Sequence, residues 1–146
     1  MGALELSSRK RFRLLAHTAD IGLEATAPSC VELFVAIAEG LKVLLFGDSA
    51  AGAGLRHEVR LQAGDVAELL VAWLNEILFL CESERLVPAT FEIVTLTGQE
   101  LVAVVSGERF DPARHIVERT AKAVTYHRLV VEERPGRWYA RVYIDL

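Results

Sequence analysis

Carboxylates are the groups of greatest chemical interest in this chain, and they occur at two distant places in the sequence. Asp20 lies within RFRLLAHTADIGLEATAPS, residues 11–29, at the point where one predicted strand stops and the next begins. Asp145 and the terminal carboxylate of Leu146 close the last predicted strand. Adjacent anionic oxygens repel one another unless a cation separates them. If the first turn lies beside the last strand, these three residues could surround a divalent cation.

The chemistry of the donors indicates which ion such a cluster would hold. Ligands that are all oxygen favour a hard cation such as Ca²⁺, Mg²⁺ or Mn²⁺. His17 precedes Asp20 by three residues, either as a nitrogen ligand, which favours a transition metal, or as a hydrogen-bond partner that orients a carboxylate. The structural alternatives are ordinary: an aspartate at a turn is typical of local turn chemistry, and a C-terminal aspartate is commonly solvated.

Two further residues are candidates for contact with an anion or a partner. Lys122 begins the β-rich segment KAVTYH, residues 122–127. A lysine in a strand is commonly an exposed edge charge, and the functional alternative is a lysine directed at an acidic cluster or at a partner's carboxylate or phosphate. The sequence also leaves two roles possible for His127: an ordinary surface or core histidine, or a histidine that faces a partner.

The sequence lacks the common signatures of autonomous catalysis. It contains no GxSxG, GxxxxGK[ST] or HExxH, and no GxGxxG after a predicted strand. Without a marked nucleophile or a phosphate-binding loop, autonomous nucleotide hydrolysis is not expected. A stand-alone metal-dependent phosphoesterase that uses the same carboxylates stays open as an alternative.

Length, composition and charge limit the class of protein. With 146 residues, 52% of them hydrophobic and 25% charged, the chain can form one domain over 1–146, with residues 1–9 expected to be flexible. No signal peptide or membrane span is apparent, so a cytoplasmic protein without membrane contact is expected. The net charge of −4 argues against autonomous RNA binding and leaves docking on a basic partner open.

Hydrophobic periodicity predicts the elements that must position these residues. Helices are expected to begin at the N-caps Ser29 and Asp65, because each is followed three residues later by a glutamate that can complete a capping box. Gly47 should end the first helix and Pro88 should mark the end of the second. In the second helix the pattern places Asn75 on the face turned away from the core. Strands are predicted at 10–16, 21–27 and 55–62, followed by two around Gly98 and by two or three more to the chain end.

The predicted fold class follows from this order. The elements run ββαβαββ and then two or three further strands, which indicates an α+β domain. Each helix carries a single apolar stripe. We therefore expect a two-layer arrangement in which both helices pack on one face of a mixed β-sheet.

Five sequence blocks, in order and in register, resemble one known family. They are HTADI (17–21), ELLVAWLNEILFL (68–80), GERFDPARH (107–115), KAVTYH (122–127) and VYIDL (142–146). Together they closely resemble archease, and the likeness extends from about residue 11 to the chain end.

The resemblance implies a function that the residues alone do not. Archease is a cytosolic activator of the RtcB-type RNA ligase, which uses GTP and metal to join RNA ends in tRNA splicing and RNA repair. The family promotes guanylylation of the ligase histidine and multiple turnover. Its metal site corresponds here to Asp20, Asp145 and Leu146, and Lys122 is the further position expected to be functional. The expected partner is the ligase, with RNA reached only through it; a chaperone-like RNA-processing adaptor is a second alternative.

Overall fold

The computed structural model describes residues 3–4, 11–16 and 20–146. In this part of the chain the order of elements agrees with the sequence pattern, with two strands after the second hairpin, except that a short strand at 3–4 precedes the first predicted one. The elements are β1 (Ala3–Leu4), β2 (Phe12–Ala16), β3 (Asp20–Ala27), α1 (Cys30–Phe46), β4 (Leu55–Gln62), α2 (Val66–Ser83), β5 (Leu86–Leu96), β6 (Glu100–Arg109), β7 (Ala123–Arg134) and β8 (Arg137–Asp145).

Both helices begin where the capping pattern predicts. The Ser29 hydroxyl accepts a hydrogen bond from the Glu32 N–H at 3.1 Å, and the Asp65 carboxylate accepts one from the Glu68 N–H at 2.8 Å. These bonds satisfy amide groups that have no partner within the helix. The first helix ends at Gly47, whose φ of 59° suits a glycine. The second ends at Ser83, several residues before Pro88, which lies in β5 instead.

The strands form two antiparallel sheets instead of the single mixed sheet that the sequence suggested. One sheet has the order β1-β2-β3-β8-β7, and the other has the order β4-β6-β5. All the strand pairs described are antiparallel. The α+β class and the two helices are confirmed. The difference arises because the chain leaves α1 into β4 of the second sheet and does not return beside β3.

The helices contact both sheets, so a single core joins the layers. Helix α1 packs on β3 of the larger sheet and β5 of the smaller one, and α2 packs on β7 and on β4, β5 and β6. The predicted apolar stripes are buried, with Trp73 at their centre. Its indole N–H donates to the Phe34 carbonyl at 3.1 Å, which satisfies a polar group inside the core.

A glycine lets α1 lie close to the strand that begins at Asp20. A Cβ atom on Gly40 would stand 2.7 Å from Leu23 Cδ1 and 2.8 Å from Phe12 Cγ. Only glycine therefore permits this approach of α1 to β2 and β3. The close packing fixes β3, and through it the position of Asp20 relative to the core.

Of residues 1–9, which were expected to be flexible, the structure describes only Ala3 and Leu4. They pair with Leu15 and Leu14 as a two-residue edge strand. Neither of the two described helices is both long and apolar enough to cross a membrane.

Candidate functional site

The structure brings Asp20 and Asp145 together across two central strands. They are directly opposed in the antiparallel pair of β3 and β8. Opposed residues point to the same face of a sheet with their Cβ atoms about 5 Å apart. Oδ1 of Asp20 is buried from solvent. Two like charges at opposed positions repel, so this end of the sheet is electrostatically costly unless a positive charge lies nearby.

Lys122 lies at the same end of the sheet. Its backbone N–H donates to the Asp145 carbonyl oxygen at 2.8 Å, and the next residue, Ala123, is the partner of Asp145 in β7. The Lys122 side chain is exposed, and Leu146, 39% exposed, follows Asp145 directly. The ends of three adjacent strands therefore bring together two aspartates, a lysine and the last residue of the chain.

The two histidines named from the sequence have different outcomes. His17 lies outside the described residues. His127 lies in β7, within an irregularity where the register with β8 shifts between Thr125 and Val130. It is exposed, and its ring meets the Tyr143 ring edge-on with centroids 5.8 Å apart. It is therefore separated from Asp145 along the strand and belongs to a neighbouring part of the surface.

The donor chemistry of this cluster fits a hard cation. Within residues 3–4, 11–16 and 20–146, no three His, Cys, Asp or Glu side chains lie together as a metal site. Asp20 and Asp145 supply two carboxylates, and the remaining ligands would come from the terminal carboxylate of Leu146, backbone oxygens, water or groups outside the described residues. Because the carboxylates of Asp20, Asp145 and Leu146 offer only oxygen, this set of donors suits Ca²⁺, Mg²⁺ or Mn²⁺ better than zinc or copper.

Asn75 is a site-supporting residue that the sequence pattern did not identify. Its side-chain N–H donates to the Val124 carbonyl at 3.0 Å, and its Oδ1 accepts from the Val124 N–H at 2.9 Å. The amide thus pairs with β7 much as another strand would, on the side away from β8. The prediction that Asn75 faces away from the packed surface was wrong, since it is half-buried between α2 and β7. It fixes the strand two residues beyond Lys122.

The GERFDPARH block forms a second cluster, on the loop after β6. Nε2 of the fully buried His115 side chain lies 2.7 Å from Glu108 Oε1, and Nδ1 accepts from the Asp111 N–H at 2.9 Å. The second bond requires Nδ1 to be unprotonated, so Nε2 carries the proton and donates it to Glu108. Arg114 also contacts Glu108, at 2.8 Å. These bonds attach the loop to the end of β6 and give it a fixed shape.

The acid stability of this loop should depend on Glu108. Hydrogen bonds from Arg114, and then from His115, lower the pKa of Glu108 from an ordinary 4.5 to about 2. A carboxylate with a lowered pKa in the folded state contributes stability above pH 4.5 that is lost as the pH falls through about 2. The urea midpoint of Glu108→Gln should therefore change less with pH in this window than that of the wild type. If the urea midpoints of the wild type and Glu108→Gln changed equally with pH, the Glu108 cluster would not contribute to acid stability.

Comparison with known proteins identifies the family. Residues 12–146 match the Archease protein family (MTH1598/TM1083). The chain belongs to the archease family. Relatives named Protein archease include one from Methanosarcina mazei, 33% identical over 96% of this chain and 99% of the relative. Another, from Methanopyrus kandleri, is 36% identical over 90% of this chain and 96% of the relative.

Solved structures share the archease fold. The solution structure of Methanobacterium thermoautotrophicum protein 1598 matches with a TM-score of 0.80 and 27% identity, covering 93% of this chain and 99% of that one. An archease crystal structure from Thermotoga maritima matches with a TM-score of 0.58 and 19% identity, covering 90% of this chain and 94% of that one. The family resemblance inferred from the five sequence blocks is thus confirmed.

Proposed function

We propose that this archease-family protein is a non-catalytic activator of an RtcB-type, GTP-dependent RNA ligase in tRNA splicing and RNA repair. The observation that supports it most is the opposed pair of Asp20 and Asp145 beside Lys122, in a chain that matches the family over residues 12–146. Under this proposal the protein acts in the cytoplasm with the ligase. It reaches RNA only through the ligase, consistent with a net charge of −4.

In this proposal Asp20, Asp145 and the terminal carboxylate of Leu146 hold a divalent ion, with Ca²⁺ as the first candidate and Mg²⁺ or Mn²⁺ as alternatives. Such an ion neutralises the opposed carboxylates and presents positive charge to phosphate groups. His17 is proposed either to bind the same ion or to orient one of the carboxylates.

Lys122 and His127 are proposed to face the ligase. The backbone of Lys122 is fixed by Asp145 on one side, and Asn75 holds the strand two residues further on. Its exposed ammonium group can therefore approach a phosphate or a ligase carboxylate from a defined position, while the aspartates remain beside it. His127, within β7, presents a second exposed polar group further along the chain.

Activation requires that the protein bind one state of the ligase better than another. A ligand shifts a conformational equilibrium only by its difference in affinity for the two states. An end of the sheet that combines carboxylates and a lysine can distinguish a ligase pocket arranged for nucleotidyl transfer from one that is not. The free energy of this preference would appear as faster guanylylation of the ligase histidine.

Turnover by the ligase provides the test of the proposal. With GTP, Mn²⁺ and RNA ends bearing a 2′,3′-cyclic phosphate and a 5′-hydroxyl, the ligase is expected to join many RNA molecules per enzyme when the protein is present. Alone, the ligase should do so inefficiently. Product formation that is the same with and without the protein would contradict the proposal. Incubation of the protein alone with Mn²⁺ and generic phosphoesters should release no phosphate, and robust release would favour the phosphoesterase alternative.

A further inference from the structure

An open apolar pocket lies beside Lys122, at the ends of the two helices. Its volume is about 450 Å³, and its base is formed by Leu45 and Phe46 of α1 and Leu78 of α2. Cys81 and Ala121 form part of its walls. Protein interiors are close-packed, so an apolar recess of this size at the surface is typical of a binding site.

Backbone hydrogen bonds hold the outer wall of the pocket in place. The wall is the segment 117–122, which has no regular secondary structure. The N–H groups of Glu118 and Arg119 donate to the Leu45 carbonyl at 2.8 and 3.4 Å, and the Lys122 N–H donates to the Asp145 carbonyl. The segment is thus fixed at both ends, and its second attachment is the strand end that carries the proposed functional site.

The apolar surface continues from the pocket onto exposed side chains. Val117 is 51% exposed and lines the pocket, and its neighbour Ile116 is 63% exposed. A small molecule would cover the recess but would leave this extension in water. The combination of a recess and an adjoining exposed apolar patch suits a protein segment that inserts one large side chain and rests on the rim.

Charge at the rim indicates the chemistry of that segment. Arg119 and Lys122 both line the pocket, and among the described residues neither forms a salt bridge with an acidic group. Glu82 is the one carboxylate among the lining residues. In a chain with a net charge of −4, a rim with two cations and one anion favours an acidic partner locally.

We infer that this pocket is the docking site for a ligase segment in which a large apolar side chain is adjacent to a carboxylate. The inference rests on the proposed function and adds where the ligase attaches. Lys122 belongs to the pocket rim and to the functional end of the sheet, so docking here places Asp20 and Asp145 beside the ligase. The pocket is expected to contribute affinity, and the carboxylates are expected to contribute activation.

Two pocket variants and one matched control separate these contributions. Val117→Asp removes exposed apolar surface and adds a charge that repels an acidic segment. Ala121→Trp fills the recess. Val94→Asp is the control, because Val94 is 61% exposed but lies on β5 and does not line the pocket. Folding is verified by circular dichroism, and Val117→Asp, at an exposed position, is expected to fold even if Ala121→Trp does not.

Calorimetric titration of the ligase measures the dissociation constant of each variant, and guanylylation at saturating protein measures the maximal stimulation. Val117→Asp and Ala121→Trp should each raise the dissociation constant at least about tenfold. Val117→Asp should also leave maximal stimulation unchanged, and the control should stay within about twofold of the wild type. Wild-type affinity in a folded pocket variant, or no binding by the wild type, would overturn the docking proposal. Binding by the wild type without stimulation would refute the proposed function and leave the docking proposal standing.

The two cysteines provide an independent footprint. Burial raises the pKa of the Cys81 thiol to about 12, and burial and then Glu133 raise that of Cys30 to about 11, so both react slowly. Cys81 lines the pocket, whereas Cys30 begins α1 just after Ala27, at the other end of β3 from Asp20. Bound ligase should slow maleimide labelling of Cys81 several-fold and leave Cys30 unchanged. Unchanged labelling of Cys81 at saturating ligase would overturn the docking site.

Discussion

Replacing Asp20 with Asn is expected to lower the stimulation of ligase guanylylation by the protein at least about tenfold, because replacing even a residue that only supports a metal ligand typically costs about 10- to 100-fold in metal affinity or activity. The amide keeps the size of the side chain but removes the charge that pairs with a cation. Single-turnover labelling of the ligase with radioactive GTP measures the rate. Because Asp20 opposes Asp145, the change also removes a repulsion between like charges.

The matched control for this experiment is Asp48→Asn. Asp48 is an exposed aspartate in the loop after α1, and the substitution makes the same change of charge away from the sheet end. It should stimulate guanylylation as the wild type does. Full stimulation by Asp20→Asn would refute the proposed site, whereas loss in both variants would point to net charge as the cause.

Replacing Asn75 with Leu is expected to lower the free energy of unfolding by about 3 kcal/mol, because it leaves two backbone groups of Val124 without their partners. Both groups face α2, where water has limited access. Urea denaturation measures this loss. Hydrogen–deuterium exchange should become faster at residues 122–125, and maximal stimulation of the ligase should fall because Lys122 loses its fixed position.

Two conservative variants make the interpretation of Asn75 specific. Asn75→Asp retains the oxygen that accepts from the Val124 N–H but sets a carboxylate oxygen against the Val124 carbonyl. It should therefore destabilise the fold at neutral pH, and part of the loss should be recovered at a pH low enough to protonate the carboxyl group and restore a donor. Glu76→Gln, at the next and equally half-buried position, should change the free energy of unfolding by less than about 0.5 kcal/mol. A change of that small size in Asn75→Leu would show that the amide does not hold β7.

Local sequence features predicted the helices and hairpins because their causes are local. Ser29 and Asp65 cap the helices through bonds to residues three positions ahead, and β5 and β6 are joined by a turn around Gly98, as the sequence indicated. Caps and turns depend on nearby residues, which one sequence contains in full.

The division of the strands between two sheets has no comparable local signal. A strand that follows a helix can return beside the preceding strand or join a different sheet, and the alternating pattern of β4 is compatible with both. The burial of α1 between the two sheets decides which sheet β4 joins. This burial depends on the close approach at Gly40 and on the contact of α1 with β5. These contacts join parts of the chain that are far apart in sequence.

The candidate site was likewise predicted only in part. The proximity of Asp20 and Asp145 was predicted, because two carboxylates in the sequence blocks of the family suggest that both bind one cation. Asn75 was missed, since a polar residue beside an apolar stripe normally faces water. Its side chain instead pairs with a backbone, and a strand edge that accepts such a pair is recognisable only in the folded chain.

The most direct test of the central claim is anomalous diffraction from crystals of the protein grown with Mn²⁺, collected on the wild type and on Asp145→Asn. The proposed function predicts an anomalous peak between Asp20 and Asp145, close to the terminal carboxylate of Leu146, which disappears in the variant. A wild-type map without a peak there, or a peak that persists at full height in Asp145→Asn, would contradict a cation site formed by these carboxylates.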